Sequence, residues 1–349
     1  MLKRLSQHER LQTLLGDFEP VIRQAFYDAI ADIRSRITMR MLIERLERRD
    51  IQGAIDAMHI EREAFGLLET ATARTYEGGG LAMAEDLRLR DPEGHRVVFR
   101  FAVRNPEAEA WLSSHSAQLV TRIVEDQRVG IQQALVDGLA RGDNPRATAL
   151  DIVGRVSRVT GRREGGLIGL TAPQERFAAT ARLELGSGDP GEMKHYLTRE
   201  RRDKRFDALV LRAIAAGKPL SKSDIDRVVG RYAERLLALR GEMLARTETM
   251  TALGQSRNDA IRQAIASGKV SADLVTKHWR SAGDDRVRHT HRVLNAKSVG
   301  FDEVFVSPSG AHLRFPGDPH APIGETSGCR CSVEYKVDYT AQFIRRRLQ

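Results

Sequence analysis

From Ser221 to Gly268 the apolar residues Ile225, Val228, Val229, Tyr232, Leu236 and Met243 recur at helical spacing, and no other feature of the chain constrains its fold so strongly. A stripe of this length predicts one long helix whose apolar face must pack on neighbouring elements. Shorter stripes repeat the pattern upstream. Asp17 reads as an N-cap with Pro20 in the first turn, ahead of Val21, Ile22, Phe26, Ile30 and Ile33. Further helices are expected over about 39–58 and 60–88, the second broken at Gly78, Gly79 and Gly80, because three glycines in a row weaken a helix. Leu119, Ile123, Ile131, Leu135 and Leu139 form another stripe, Asn144 and Pro145 a cap and first turn, and Thr171 a further helix start.

Two stretches change the period. Asp91–Gly94 reads as a turn, and the alternation of Val97, Phe99, Phe101 and Val103 predicts a short strand, hence a strand pair near 90–104. After Gly268, short strands near 276–279 and 331–335, a turn at "SPSG" and a proline-rich loop at "FPGDPHAP" predict a small α+β module. The fold class is therefore mainly α, an elongated helical region with a short β element followed by a small α+β carboxyl-terminal domain. The expected divisions are 1–160, 161–268 and 269–349.

Charge and cysteine usage narrow the function classes. The 56 basic and 47 acidic residues give a formal +9, which favours a polyanion or an acidic protein surface as neighbour. Aromatics at 5% argue against a base-stacking platform. The run Lys194, Arg199, Arg201, Arg202, Lys204 and Arg205 reads either as a nucleic-acid patch or as a solvated face with Glu200 and Asp203 interleaved. The first twenty residues carry no apolar stretch of the secretory type, and no membrane-spanning run is expected.

Both cysteines lie in "GETSGCRCSVEY". Cys329 and Cys331 are too close in sequence for an unstrained disulfide. They can share one zinc ion if Arg330 turns outward, with His291 as third ligand and His289 or His320 as fourth. His289 and His291 would share a face on a strand and diverge on a helix. The alternative is a pair of reduced thiols in a small core, with His291 hydrogen-bonded to a nearby loop.

The ordered words "ARTET", Trp279 followed by "DDRVRHTHRVLN", "FD", "LRFPGDPHAP" and "CRC" resemble the phage Mu F-like family of head morphogenesis proteins, also called minor head or minor capsid proteins. The resemblance runs from about residue 240 and covers roughly the carboxyl-terminal third. It falls on Arg246, Thr247, Glu248, Trp279, Asp285, Arg286, Arg288, His291, Pro316, Gly317, Asp318, Cys329 and Cys331. Gly328 and Ala296 depart from the family's usual residues at the "CRC" and "LNA" words. The resemblance implies a structural and assembly protein of a tailed bacteriophage, placed in the virion head at or near the portal vertex and in the host cytoplasm during assembly. Its implied partners are the portal protein and the major capsid protein, with several copies on the portal, non-specific contact with packaged double-stranded DNA and no membrane. It also implies that His291, Cys329 and Cys331 cluster in space. Arg246 is expected to pair with Asp285 or Asp318 and so lock the long helix to the terminal module.

No phosphate loop, nucleophile elbow or cysteine–histidine protease signature is found, so no catalytic residue is assigned. The competing class is a zinc-dependent hydrolase or nuclease of the phage head, with Asp285 or Glu325 as base. It is weakened because paired thiolates more often mark a closed structural site.

Overall fold

The computed structural model describes residues 5–89, 95, 97–341 and 344. Helices α1 (Gln7–Arg36), α2 (Met39–Glu47), α3 (Ile51–Asp56), α4 (Gly66–Asp86), α5 (Pro106–Ala140) and α6 (Pro145–Val153) come first. The hairpin β1 (Arg155–Val156) and β2 (Arg163–Glu164) follows, then α7 (Ala172–Gly186), α8 (Pro190–Thr198), α9 (Asp207–Ala216) and α10 (Lys222–Ala266). The remainder is β3 (Val275–Arg280), α11 (His289–Leu294), β4 (Ser298–Gly300), β5 (Phe305–Val306), β6 (His312–Leu313), α12 (Ile323–Thr326) and β7 (Ser332–Val337). The protein is mainly α, with small antiparallel sheets concentrated after α10. Among the described residues no helix is long and apolar enough to cross a membrane.

The chain forms two compact units, each assembled from separated stretches rather than from consecutive regions. One unit takes Ala25–Leu67 and Ala117–Glu242. Its core holds Phe26, Ile30, Ile33, Leu42, Phe65, Val120, Ile131, Leu135, Ile152, Leu185, Val228 and Leu236. Asn144 accepts hydrogen bonds from Arg146 N and Ala147 N with Pro145 in the first turn, and Thr171 closes a capping box with Gln174, so both helix starts lie where the caps put them. Within the basic run, Arg199 pairs with Glu184 at 2.8 Å, Arg202 with Asp207 at 2.9 Å and Arg205 with Asp203 at 2.6 Å, while Lys194, Arg201 and Lys204 are exposed.

The other unit takes Met1–Gln24, Leu68–Ser116 and Met243–Gln349. Antiparallel β3 lies centrally in the sheet β4-β3-β7, with Trp279 opposite Val333 and Lys277 opposite Tyr335. The hairpin β5-β6 turns through Ser307–Gly310, where the "SPSG" word predicts a turn. Trp279, Phe305, Phe315, Leu313, Val333 and Tyr335 share one core with Tyr76 and Met83 of α4 and Ala252, Ala260 and Ile261 of α10.

Several expectations are corrected here. Asp17 is not an N-cap, since α1 begins at Gln7 and carries Pro20 inside it. The helix expected over 39–58 is two, α2 and α3, with Asp50 capping the second through Gly53 N. Residues 97–103 form no strand: Val97 N donates to Leu89 O, and Val97, Phe99, Phe101 and Val103 pack into the core instead. The expected turn at 91–94 lies outside the described residues. Gly78–Gly80 do not break α4. They allow close approach: a Cβ on Gly78 would meet the Phe18 ring, on Gly79 the Leu253 side chain and backbone, and on Gly80 the Phe101 ring. Packing of neighbours against bare backbone outweighs the weak helical preference of glycine.

Two predictions follow from this packing. Gly79→Ala should destabilise the fold by about 1–3 kcal/mol despite alanine's better helix propensity, because the added carbon would lie 3.2 Å from Leu253 Cα. Chemical denaturation checks this, and unchanged or raised stability would contradict it. In the first unit, Glu175 is 3% exposed, neither carboxyl oxygen has a hydrogen-bond partner, and its carboxyl group fills the space left by Gly130. Burial, then Asp126, pushes its pKa up to about 9 against the opposing charge of Arg240. The unfolded chain ionises this group from about 4.5 upward while the folded chain holds it protonated, so wild-type stability falls as pH rises between 4.5 and 9. Glu175→Gln should therefore match wild type near pH 4.5 and gain on it by up to about 1.4 kcal/mol per pH unit above that, as read from denaturation midpoints across pH.

Candidate metal centre and the motif residues around it

His291 stands on α11, the short helix opened by the "HTH" word, while Cys329 and Cys331 flank Arg330 just before β7. The fold brings all three together, with their ligand atoms within 4.8 Å of one another. His291 Nδ1 is 3.5 Å from Cys329 Sγ and 3.5 Å from Cys331 Sγ. Exposure is 1% for His291 and Cys329 and 2% for Cys331, so solvent does not reach the donors freely. Arg330 does turn away, to a two-point contact with the carboxylate of Asp284. Strand-like alternation explains why: residues two apart face one side and the intervening residue faces the other.

The opposite nitrogen of the ring, Nε2, is 3.0 Å from Glu325 Oε2, close enough for charge contact although off the hydrogen-bond direction. Glu325 is itself held by Thr290 Oγ1 at 2.8 Å, Ser309 Oγ at 2.5 Å and Ser307 Oγ at 3.3 Å. Burial would raise its pKa, but the hydroxyl donors and the nearby His291 keep it below the ordinary value. The hydrogen bond from Cys329 and, after it, that from His291 pull the Cys331 thiol down against burial, while the same bond and burial push Cys329 up. Trp279 lies edge-on to the His291 ring at 5.1 Å and to Phe305 at 5.1 Å, closing the apolar side. A cavity of about 560 Å³ lined by Arg288, His289, Thr290, Ser309 and Glu325 lies next to the cluster, yet neither cysteine nor His291 lines it.

The two expected fourth ligands are absent from the cluster. His289 is exposed, and His291 and His289 diverge as they must on a helix. His320 is largely exposed, its Nδ1 engaged with Arg314 at 2.8 Å and Asp318 at 3.1 Å. The proposed lock of Arg246 onto Asp285 or Asp318 is also corrected. Arg246 pairs with Glu19 at 2.6 Å, while Glu248 pairs with His115 at 2.7 Å in a buried contact. Asp285 is exposed, and Arg286 is an exposed side chain 3.7 Å from Asp284. Asp318 is buried and takes Arg314 Nε at 2.9 Å, Nη2 at 2.7 Å and the Arg314 backbone N–H at 2.8 Å. The long helix does meet the terminal module, but through other groups: Thr247 Oγ1 accepts from Gly328 N at 3.0 Å, Thr251 Oγ1 donates to Gly317 O at 2.9 Å, and Gly254 makes room for Phe315. Glu19 and His115 were not foreseeable as partners, because nothing in local spacing marks a contact between residues so far apart in the chain. Arg314 stands four residues before Asp318, a spacing at which a pair can be read locally.

Residues 204–334 match the family model described as Phage Mu protein F like protein. A stretch of the chain resembles a curated protein, the minor head protein GP7 of Bacillus phage SPP1. The two are 31% identical over 112 residues, which are 32% of this chain and 34% of that protein. The match thus spans about a third of the relative's length. No solved structure matches the chain.

Asp318 gives a pH-dependent prediction. Burial works against its ionisation, but the hydrogen bonds and charge of Arg314 hold its pKa below the ordinary value. A depressed folded pKa contributes stability above the unfolded value of 3.8, which is lost as pH falls through the folded pKa. Asp318→Asn should cost about 3–5 kcal/mol near pH 7, with the difference from wild type shrinking below pH 4. Urea denaturation at both pH values reads this out, and a pH-independent difference would contradict it.

Proposed function

We propose that the protein is a minor head protein of a tailed bacteriophage, acting in head morphogenesis at or near the portal vertex without turnover of its own. The observation that carries this reading is the Mu F-like match over residues 204–334, to which the likeness to a phage minor head protein adds. The matched words account for packing: Trp279, Asp318 and the two cysteines are all nearly buried, as residues that build a module are. The portal protein and the major capsid protein are the proposed partners, and the formal +9 charge suits a place beside packaged double-stranded DNA. Such contact would be made to phosphate and would weaken steeply with salt.

A metal-dependent hydrolase or nuclease needs a metal position open to substrate. Donors at 1–2% exposure do not supply one, so this stays the lesser reading.

The test is copurification of the tagged chain with the cognate portal, together with analysis of heads assembled in its absence. The proposal expects stable association and defective or non-infectious particles. Normal infectious particles lacking the chain would contradict it.

A further inference from the structure

We propose that His291 Nδ1, Cys329 Sγ and Cys331 Sγ bind one zinc-class transition-metal ion that fastens α11 to the segment entering β7. The first argument is the sharing of one nitrogen by two sulfurs. A neutral imidazole nitrogen offers either one hydrogen or one lone pair, so it makes at most one well-aligned hydrogen bond with two thiols. Yet Nδ1 lies 3.5 Å from both sulfurs, an arrangement better suited to a common target than to two pairings.

The distances fit that target. A tetrahedral ion with bonds of about 2.3 Å to sulfur and about 2.0 Å to nitrogen sets those ligands about 3.5 Å apart. Both nitrogen–sulfur edges of the triangle already have that length without an ion to impose it. Thiolate and imidazole together select zinc and its soft or borderline neighbours over magnesium or calcium.

The surroundings hold each donor in a binding pose. Arg330, paired with Asp284, keeps the residue between the cysteines turned outward. Glu325, fixed by three hydroxyls, stands 3.0 Å from Nε2, so a proton displaced from Nδ1 by the metal finds a carboxylate beside the other ring nitrogen. Trp279 and the surrounding core exclude water, which strengthens charge interactions at the ion. Among the described residues no fourth histidine, cysteine or carboxylate joins the set, so these three donors are the protein ligands proposed for the ion. On binding, both thiols lose their protons to solvent and the metal takes the two thiolates.

The full chain, purified under reducing conditions without chelator, is analysed for bound metal, then stripped and titrated with Co2+. The expected results are about one zinc per chain and a thiolate-to-cobalt charge-transfer band saturating at about one equivalent. Cys329→Ser and Cys331→Ser should each remove the band. Glu325→Gln should keep it while weakening affinity about 10–100-fold, which separates positioning from ligation. The wild-type titration decides the matter even if a cysteine variant fails to fold. Wild-type protein with two titratable thiols, no bound metal and no cobalt band would overturn the proposal.

Discussion

The second unit depends on the close approach of α4 to the carboxyl-terminal half of α10. Gly79 meets Leu253 and Ser256 with no side chain between them, and one residue on, Gly254 of α10 receives the Phe315 ring and lies near the Pro316 carbonyl. A helix that presents small residues on two sides can be covered on both, and Ala252, Ala260 and Ala264, all fully buried, continue that surface. The apolar area removed from water there, at about 25 cal/mol per Å², is the main stabilising term available to such a core. Around it Trp279, Phe305, Phe315 and Tyr335 form the module in whose core Cys329 and Cys331 are buried.

This packing explains why the motif words lie far apart in sequence and close in space. The "ARTET" word supplies Arg246 and Glu248 to Glu19 and His115, and Thr247 to the backbone of Gly328 beside Cys329. The "FPGDP" word turns at Gly317, whose positive φ of 82° glycine accommodates without strain, and buries Asp318 under Arg314. These words are contacts between the long helix and what covers it. The two ion pairs reaching outside the Mu F-like match tie it to helices that family likeness does not cover.

Much of this was legible in the sequence, for identifiable reasons. Helix starts with local caps, such as Asn144 and Thr171, were readable because the capping side chain and its partner are neighbours. The meeting of His291 with the cysteines followed from the family resemblance and from the shared chemistry of the residues. The glycine run of α4 was misread because its reason is tertiary: Phe18, Leu253 and Phe101 come from separate stretches. Residues 97–103 alternate like a strand, yet apolar alternation served packing on the core rather than a ladder. Ion-pair partners such as Glu19 and Glu325 carry no local signature at all.

The central claim is that the stretches before residue 25, from 68 to 116 and from 243 onward form one cooperative body built on α10. Native-state hydrogen exchange on the full chain tests it most directly. Amides of α4 near Gly79, of α10 between Met250 and Ala264, and of β3 and β7 should be protected to a similar free energy and lose protection together as denaturant is added. If β3 and β7 stay protected while α4 exchanges freely, the terminal module stands without the helix pair and the account fails.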